Sequence, residues 1–201
     1  MAVNATAGAP PISAAAQAPS RYIVPVKGLW VVGGALALLV VSVAGNWKWA
    51  LDFLHVTSGA LWTSIDLFMG FVIGPIMGRL DPPARVGLTK RLMPQLLLIM
   101  PTVVLLTLVS GWQLARKIGF LQVPYPQHWW IVASFIVVGV LAIMAYAVLE
   151  PANIIVLLEL RKPQPNVRLI QRVMRRFVYA AGVMGAMQLA ILIIMTRIAT
   201  W

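Results

Sequence analysis

Residues 129–150 read WWIVASFIVVGVLAIMAYAVLE, an apolar stretch whose only charged residue is its last, Glu150. A helix needs about 20 apolar residues to cross the ~30 Å hydrocarbon layer of a membrane. This stretch therefore predicts a membrane-spanning helix. It lacks the alternation of polar and apolar residues that is typical of a strand in a membrane β-barrel.

Further stretches of the same character occur along the chain, and together they predict an all-α integral membrane protein with five transmembrane helices. We expect a disordered tail at residues 1–20, an extra N-terminal span within residues 21–48 and a four-helix membrane bundle within residues 49–201. The expected spans are approximately Val26–Ala44, Trp49–Leu80, Leu92–Leu114, Trp129–Glu150 and Phe177–Ile198.

The composition excludes a water-soluble protein. Hydrophobic residues make up 61% of the chain, charged residues only 10%, and the mean hydropathy is +0.89. A soluble domain needs about a quarter of its residues charged. The net charge of +11 would suggest nucleic acid in a soluble protein, but here it indicates loops that face anionic lipid headgroups, and no nucleic-acid partner is expected. Without cysteine, disulfides and thiolate metal sites are excluded.

The charge distribution predicts how the chain lies in the membrane. With five spans, twelve Lys and Arg residues fall on the side of the amino terminus and four on the opposite side. By the positive-inside rule, we expect a cytoplasmic (inner) membrane protein with its amino terminus in the cytoplasm and its carboxyl terminus outside. The aromatic residues typical of a membrane interface cluster at the predicted outer surface: Trp47, Trp49, Trp112, Tyr125, Trp129, Trp130 and Trp201.

The segment before the fifth span is basic and amphipathic. Arg168, Arg172, Arg175 and Arg176 recur at helical spacing, with apolar residues on another face. This pattern predicts a helix at the inner surface whose arginines bind lipid headgroups. Docking of a partner protein is the alternative interpretation.

The second span carries ionisable groups at membrane depth, where each costs roughly 2.5–3.5 kcal/mol or more. At about 100° per residue, one helix face within roughly an 80° arc contains His55, Gly59, Trp62, Asp66 and Gly70. We expect this face to point at neighbouring helices. The glycines would let a helix or a flat ligand approach the backbone closely.

Each of the two histidines has two interpretations. His55 either binds haem iron, copper or zinc, or hydrogen-bonds to a carbonyl group of a neighbouring helix. His128 either joins His55 in a metal or haem site near the outer surface, or is an exposed interfacial residue.

The acidic residues also leave alternatives open. Asp66 is either a proton or cation site, or a carboxyl group that is neutral or paired within the bundle. Pro151 is expected to kink or end the fourth span after Glu150. We expect Glu150 to form an ion pair with Arg91 or Arg176, the alternative being a functional acid.

The segment from Leu54 to Pro75 resembles a known membrane superfamily, which includes the copper-resistance D-type proteins and the HemJ-type protoporphyrinogen oxidases. The similarity rests on Leu54-His55, on Trp62 seven residues after the histidine, and on the apolar run that ends at Pro75. Further positions fit the same plan, and the resemblance covers about residues 49–199: Arg91, Gly111, Leu114-Ala115 and Arg175-Arg176-Phe177.

The resemblance implies a four-helix bundle in which His55 binds haem b. Members of the oxidase branch have a functional lysine near the start of the next-to-last helix, but this sequence has none between Lys117 and Lys162. The resemblance therefore implies haem binding and leaves open whether the protein is an enzyme.

Three hypotheses for function follow. The first is a membrane protein that binds haem b through His55, packed against Gly59 and Trp62, and takes part in electron transfer or redox chemistry. The second is transport of copper or another cation along His55, Asp66 and Met69. The third is a structural accessory subunit without a cofactor. Other membrane subunits or a second copy of the chain are the expected protein partners.

Overall fold

The computed structural model describes residues 25, 26 and 28–200 and shows an all-helical protein. The predictions for residues 1–20, for the residues 21–24 and 27 that precede the first helix, and for Trp201 lie outside the described residues. The five helices are α1 (Gly28–Ala44), α2 (Lys48–Arg79), α3 (Pro82–Lys117), α4 (His128–Leu160) and α5 (Val167–Ala199).

Four of these helices are long and apolar enough to cross a membrane, as the sequence predicts. Helices α2 to α5 contain 32, 36, 33 and 33 residues. At 1.5 Å per residue they are about 50 Å long, so their ends extend beyond a ~30 Å hydrocarbon layer. Helix α1 is shorter, at 17 residues, and equally apolar.

Helix α4 does not end at Glu150, so of the two outcomes expected at Pro151, a kink or an end, the helix end is wrong. The helix continues through Pro151 to Leu160, and a π-helical turn at Ala145–Leu149 precedes the proline. Proline lacks an N–H group and its ring crowds the carbonyl group four residues earlier, and the wider π-helical turn accommodates both effects. The same arrangement occurs in α2, where the π-helical turn Met69–Ile73 precedes Pro75.

The helices pack as two antiparallel pairs. Helix α2 packs most extensively against α3, and α4 against α5, while α1 lies against α3 and α2. The main apolar core joins both pairs and includes Trp62, Val104, Leu141, Met184 and Ile191. A smaller cluster of Leu39, Leu54 and Leu106 attaches α1.

The outer surface of the bundle is apolar. Large side chains such as Val140, Ile143 and Ile193 are exposed on α4 and α5, with 67% of Ile193 accessible. Exposing so large an apolar surface to water is unfavourable, whereas the acyl chains of lipids are apolar themselves. The protein is therefore a multi-pass membrane protein that contacts the lipid bilayer through its helices.

The connections at one end of the bundle lie close together. The Lys117 ammonium group, at the end of α3, donates a hydrogen bond to the carbonyl oxygen of Asn46 between α1 and α2. Near the same end, Tyr125 packs against His128 and Trp129 at the start of α4. Tyr125 and Trp129, two of the aromatic residues predicted at the outer surface, thus form an aromatic cluster with His128 at this end.

Single-cysteine labelling tests this topology, and the absence of native cysteine removes background. We expect Asn46→Cys and Gln122→Cys to react with a membrane-impermeant maleimide from one side of sealed vesicles. Asp81→Cys and Gln164→Cys should react only from the opposite side, because α2 and α4 each cross once. Labelling of all four from the same side would contradict the fold, and the sidedness also tests the predicted cytoplasmic amino terminus.

Candidate functional site

His55 lies on the face of α2 that contacts α3. Its Nδ1 atom is 2.9 Å from the main-chain carbonyl oxygen of Thr107. A carbonyl oxygen only accepts hydrogen bonds, so Nδ1 is the donor and carries a hydrogen atom. In the neutral imidazole, the free electron pair is therefore on Nε2, which forms no hydrogen bond with the described residues.

Gly111 makes room for the imidazole ring. A Cβ atom placed on Gly111 would lie 2.5 Å from Cε1 and 2.6 Å from Nδ1 of His55. Such distances are far below van der Waals contact, so no larger residue fits while the ring stays in place. One turn earlier on α3, the hydroxyl groups of Thr107 and Ser58 are hydrogen-bonded at 2.9 Å. These contacts fix α2 against α3.

Gly59 and Trp62 also lie against other helices. A Cβ atom on Gly59 would be 3.5 Å from Cγ2 of Thr107, an ordinary contact with α3. Trp62 is only 4% exposed and belongs to the main core. The predicted face of α2 therefore does point into the bundle up to Asp66. Gly70, by contrast, has open space beside it.

Asp66 reaches a different helix, α5. The Gln188 side-chain Nε2 donates a hydrogen bond to Oδ2 of Asp66 at 2.6 Å. Gln188 is 1% exposed, and its Oε1 atom is buried without a hydrogen-bond partner among the described residues. The indole Nε1 of Trp62, one turn before Asp66, is likewise buried and unpaired. Polar groups from two helices thus meet in the core.

His128 does not share these surroundings. It begins α4, and its ring packs against Tyr125 with 5.0 Å between the ring centroids. Within residues 25–26 and 28–200, no group of three or more His, Asp or Glu side chains is arranged to hold a metal ion. The structure therefore shows no multi-ligand metal centre around His55 and His128 in the part that it describes.

Glu150 is half-buried beside the π-helical turn of α4. The structure does not bring it into an ion pair with Arg91 or Arg176, both of which are exposed; its ionisable neighbour is Tyr146. Tyr146 donates a hydrogen bond to the carbonyl oxygen of Pro101 at 2.8 Å. Glu159 forms an ion pair with Lys162, at 2.6 Å.

The basic segment forms the beginning of α5, as predicted. The Asn166 side chain accepts a hydrogen bond from the main-chain N–H of Leu169 at 3.1 Å and caps the helix. The cationic side chains of this basic segment are all exposed: Arg168, Arg172, Arg175 and Arg176.

Comparison of the chain with protein-family models, with curated proteins and with solved structures finds no match. The resemblance drawn from residues 54–75 therefore contributes an expectation only. The geometry at His55 and Asp66 has to support any assignment of function.

The sequence analysis missed Thr107 and Gln188, which form hydrogen bonds with His55 and Asp66 of α2. A signal existed in each case: Thr107 and Gly111 are four residues apart and share a face of α3. Gln188 is an amide in the middle of an apolar span, next to the methionines at 184 and 187. Neither signal shows that Thr107 pairs with His55 or that Gln188 pairs with Asp66, because the sequence does not show which helices lie next to each other.

Substitution of Gly111 tests the His55 packing. We expect Gly111→Ala to lower the free energy of unfolding by about 1–3 kcal/mol, because overpacking forces the imidazole or α3 to move. Gly139→Ala on α4 is the matched control, since no atom lies within 4 Å of its added methyl group. That control should be neutral or stabilising by roughly 0.5–1 kcal/mol. Denaturation in detergent provides the measurement, and equal behaviour of both variants would contradict the contact.

Proposed function

We propose that this protein is a membrane-embedded redox protein that binds haem b through His55. The observation that carries the proposal is the hydrogen bond from Nδ1 of His55 to the Thr107 carbonyl group. Metal-binding histidines typically donate one ring N–H to a carbonyl or carboxylate, which fixes the tautomer and leaves the other nitrogen to the metal.

His55 is a residue that would hold the iron of a haem. Its Nε2 atom carries the free electron pair and has no hydrogen-bond partner in the described part of the chain. Gly111 and the Thr107 carbonyl group restrict rotation of the ring, so the ligand atom is held in a fixed direction. When bound, haem supplies one-electron redox chemistry at its iron.

Gly59 and Trp62 have a different role from His55 in this proposal. Gly59 and Trp62 contact α3 and the core, so in this proposal they position the helix that carries His55. His55 lies seven residues after the start of α2 at Lys48, which is about 10 Å along the helix axis. It is therefore close to the end of the bundle that carries the aromatic cluster, and we place its redox chemistry on that side.

The membrane arrangement completes the proposal. Helix α1 crosses the bilayer as a fifth span, and the exposed arginines at the start of α5 bind anionic headgroups on the cytoplasmic side of the inner membrane. The extramembrane mass is small, so electrons reach and leave the site through other membrane subunits or a second copy of the chain.

Optical spectroscopy of the purified protein tests haem binding. We expect a Soret band in the wild type that is lost in His55→Ala, because the iron loses its axial ligand. His128→Ala is the matched control and should keep the band, since this histidine lies against Tyr125 at the start of α4.

A colourless wild type without iron would contradict the proposal. Metal analysis then separates the alternatives: bound copper would favour cation transport, with uptake that depends on Asp66. A metal-free protein that co-purifies with larger subunits would favour an accessory role.

A further inference from the structure

The contact between Asp66 and Gln188 joins the two helix pairs across the core. Helix α2 meets α5 over a much shorter contact than it forms with α3. Within this contact, Nε2 of Gln188 donates a hydrogen bond to Oδ2 of Asp66 at 2.6 Å. The pair lies eleven residues from His55, about 16 Å along α2, and so is separate from the proposed haem ligand.

One polar atom of this pair remains without a partner. Oε1 of Gln188 is buried and accepts no hydrogen bond from the residues that the structure describes. Buried acceptors are almost always paired, and leaving one unpaired costs free energy. The missing partner must be a hydrogen-bond donor that reaches Oε1. This oxygen belongs to the same amide group as the nitrogen that faces Asp66.

A protonated carboxyl group is such a donor. A carboxylate only accepts hydrogen bonds, whereas a carboxylic acid also carries one O–H donor. An acid and a primary amide can form two hydrogen bonds side by side: the amide N–H to one carboxyl oxygen, and the acid O–H to the amide oxygen. The first of these is present, and a proton on Asp66 would complete the second.

We propose that Asp66 and Gln188 form a reversible proton-binding site in the membrane core, with the proton resident on Asp66 at neutral pH. The ligand is the proton itself, taken up by the carboxylate without any other bond being made or broken. This inference goes beyond the proposed haem site and does not depend on it.

The orientation of the amide does not alter this conclusion. If the Gln188 amide turns by 180°, its oxygen faces Oδ2 of Asp66 at 2.6 Å. Two oxygen atoms at that distance require a hydrogen atom between them, and 2.6 Å is within the normal range for O–H···O. In this orientation, too, Asp66 carries the proton.

Among the described residues, no charged partner stabilises the carboxylate instead. No ionisable side chain of the described residues acts on Asp66; its polar neighbours are Gln188 and Trp62. An unpaired charge at this depth is costly, which favours the neutral acid. None of the ionisable residues that α3, α4 and α5 contribute around α2 faces Asp66.

Trp62 supplies a second donor near Asp66. Its indole N–H is buried, has no hydrogen-bond partner among the described residues and lies one turn from Asp66 on the same face of α2. After the proton leaves, the carboxylate can accept hydrogen bonds from both Trp62 and Gln188. The amide of Gln188 thus pairs with both protonation states, and Trp62 adds a donor for the charged one, as a site that takes up and releases a proton requires.

Infrared spectroscopy of the full-length protein in lipid tests the proposal. With ¹³C-carboxyl-labelled aspartate, we expect a C=O stretching band of a protonated carboxylic acid at neutral pH, shifted by the label and lost in Asp66→Asn. Asp52→Asn, an exposed acid on the same helix, is the matched control and should leave the band unchanged. The labelled wild type alone decides the point if the Asp66 variant fails to fold.

Gln188 provides the second arm of the experiment. In Gln188→Leu the acid loses its amide partner, so the band should move to higher frequency as its C=O group becomes less hydrogen-bonded. A wild type whose labelled aspartates show only carboxylate bands at neutral pH would overturn the proposal. So would a band that is unaffected by Gln188→Leu, because Gln188 would then not be a partner of the protonated acid. The Soret band is recorded in the same samples. It should not change in Asp66→Asn or in Gln188→Leu, because the proton-binding site is separate from the proposed haem ligand.

Discussion

Lipid offers no hydrogen bonds, so every polar group on a helix inside the membrane must find its partner within the protein. Helix α2 carries more such groups at depth than its neighbours, and this constraint fixes its place. His55 bonds to the main chain of α3, Ser58 to a side chain of α3, and Asp66 to a side chain of α5. A helix with partners on two sides must lie between them. Apolar packing places the remaining helices around α2, together with a hydrogen bond from Tyr146 of α4 to the main chain of α3.

Close approach of α2 and α3 depends on a small residue, and two of the four long helices contain a π-helical turn before a proline. Gly111 admits the imidazole ring, which no side chain at that position would allow. In α2 and α4 the turns Met69–Ile73 and Ala145–Leu149 each precede a proline by the same spacing. Both turns also lie near polar contacts between the helix pairs, since Tyr146 belongs to the second and Asp66 lies three residues before the first. Local widening of the helix changes the direction of side chains at these positions.

The sequence predicts the parts of this structure that depend on one helix alone. Apolar length locates the four long spans, a period of 3.6 residues identifies the inward face of α2, and arginine spacing identifies the amphipathic start of α5. The errors concern interactions between helices or unusual turns. Pro151 indicates a kink or an end of the helix, and the π-helical turn that precedes it in the continuing helix leaves no mark in the sequence. Thr107 is equally ambiguous, since its hydroxyl group also bonds to the carbonyl oxygen of Val103 in its own helix.

The partners of His55 and Asp66 differ in kind, and this difference suits the two proposed roles. A main-chain carbonyl group can only accept, so the contact with Thr107 holds His55 in one tautomer, as a fixed metal ligand requires. A side-chain amide can both donate and accept, so Gln188 can pair with Asp66 in either protonation state. The first arrangement excludes proton exchange at Nδ1 while the helices stay packed, and the second permits it at the carboxyl group. A single face of α2 thus presents a rigid group near one membrane surface and an exchangeable one near the middle.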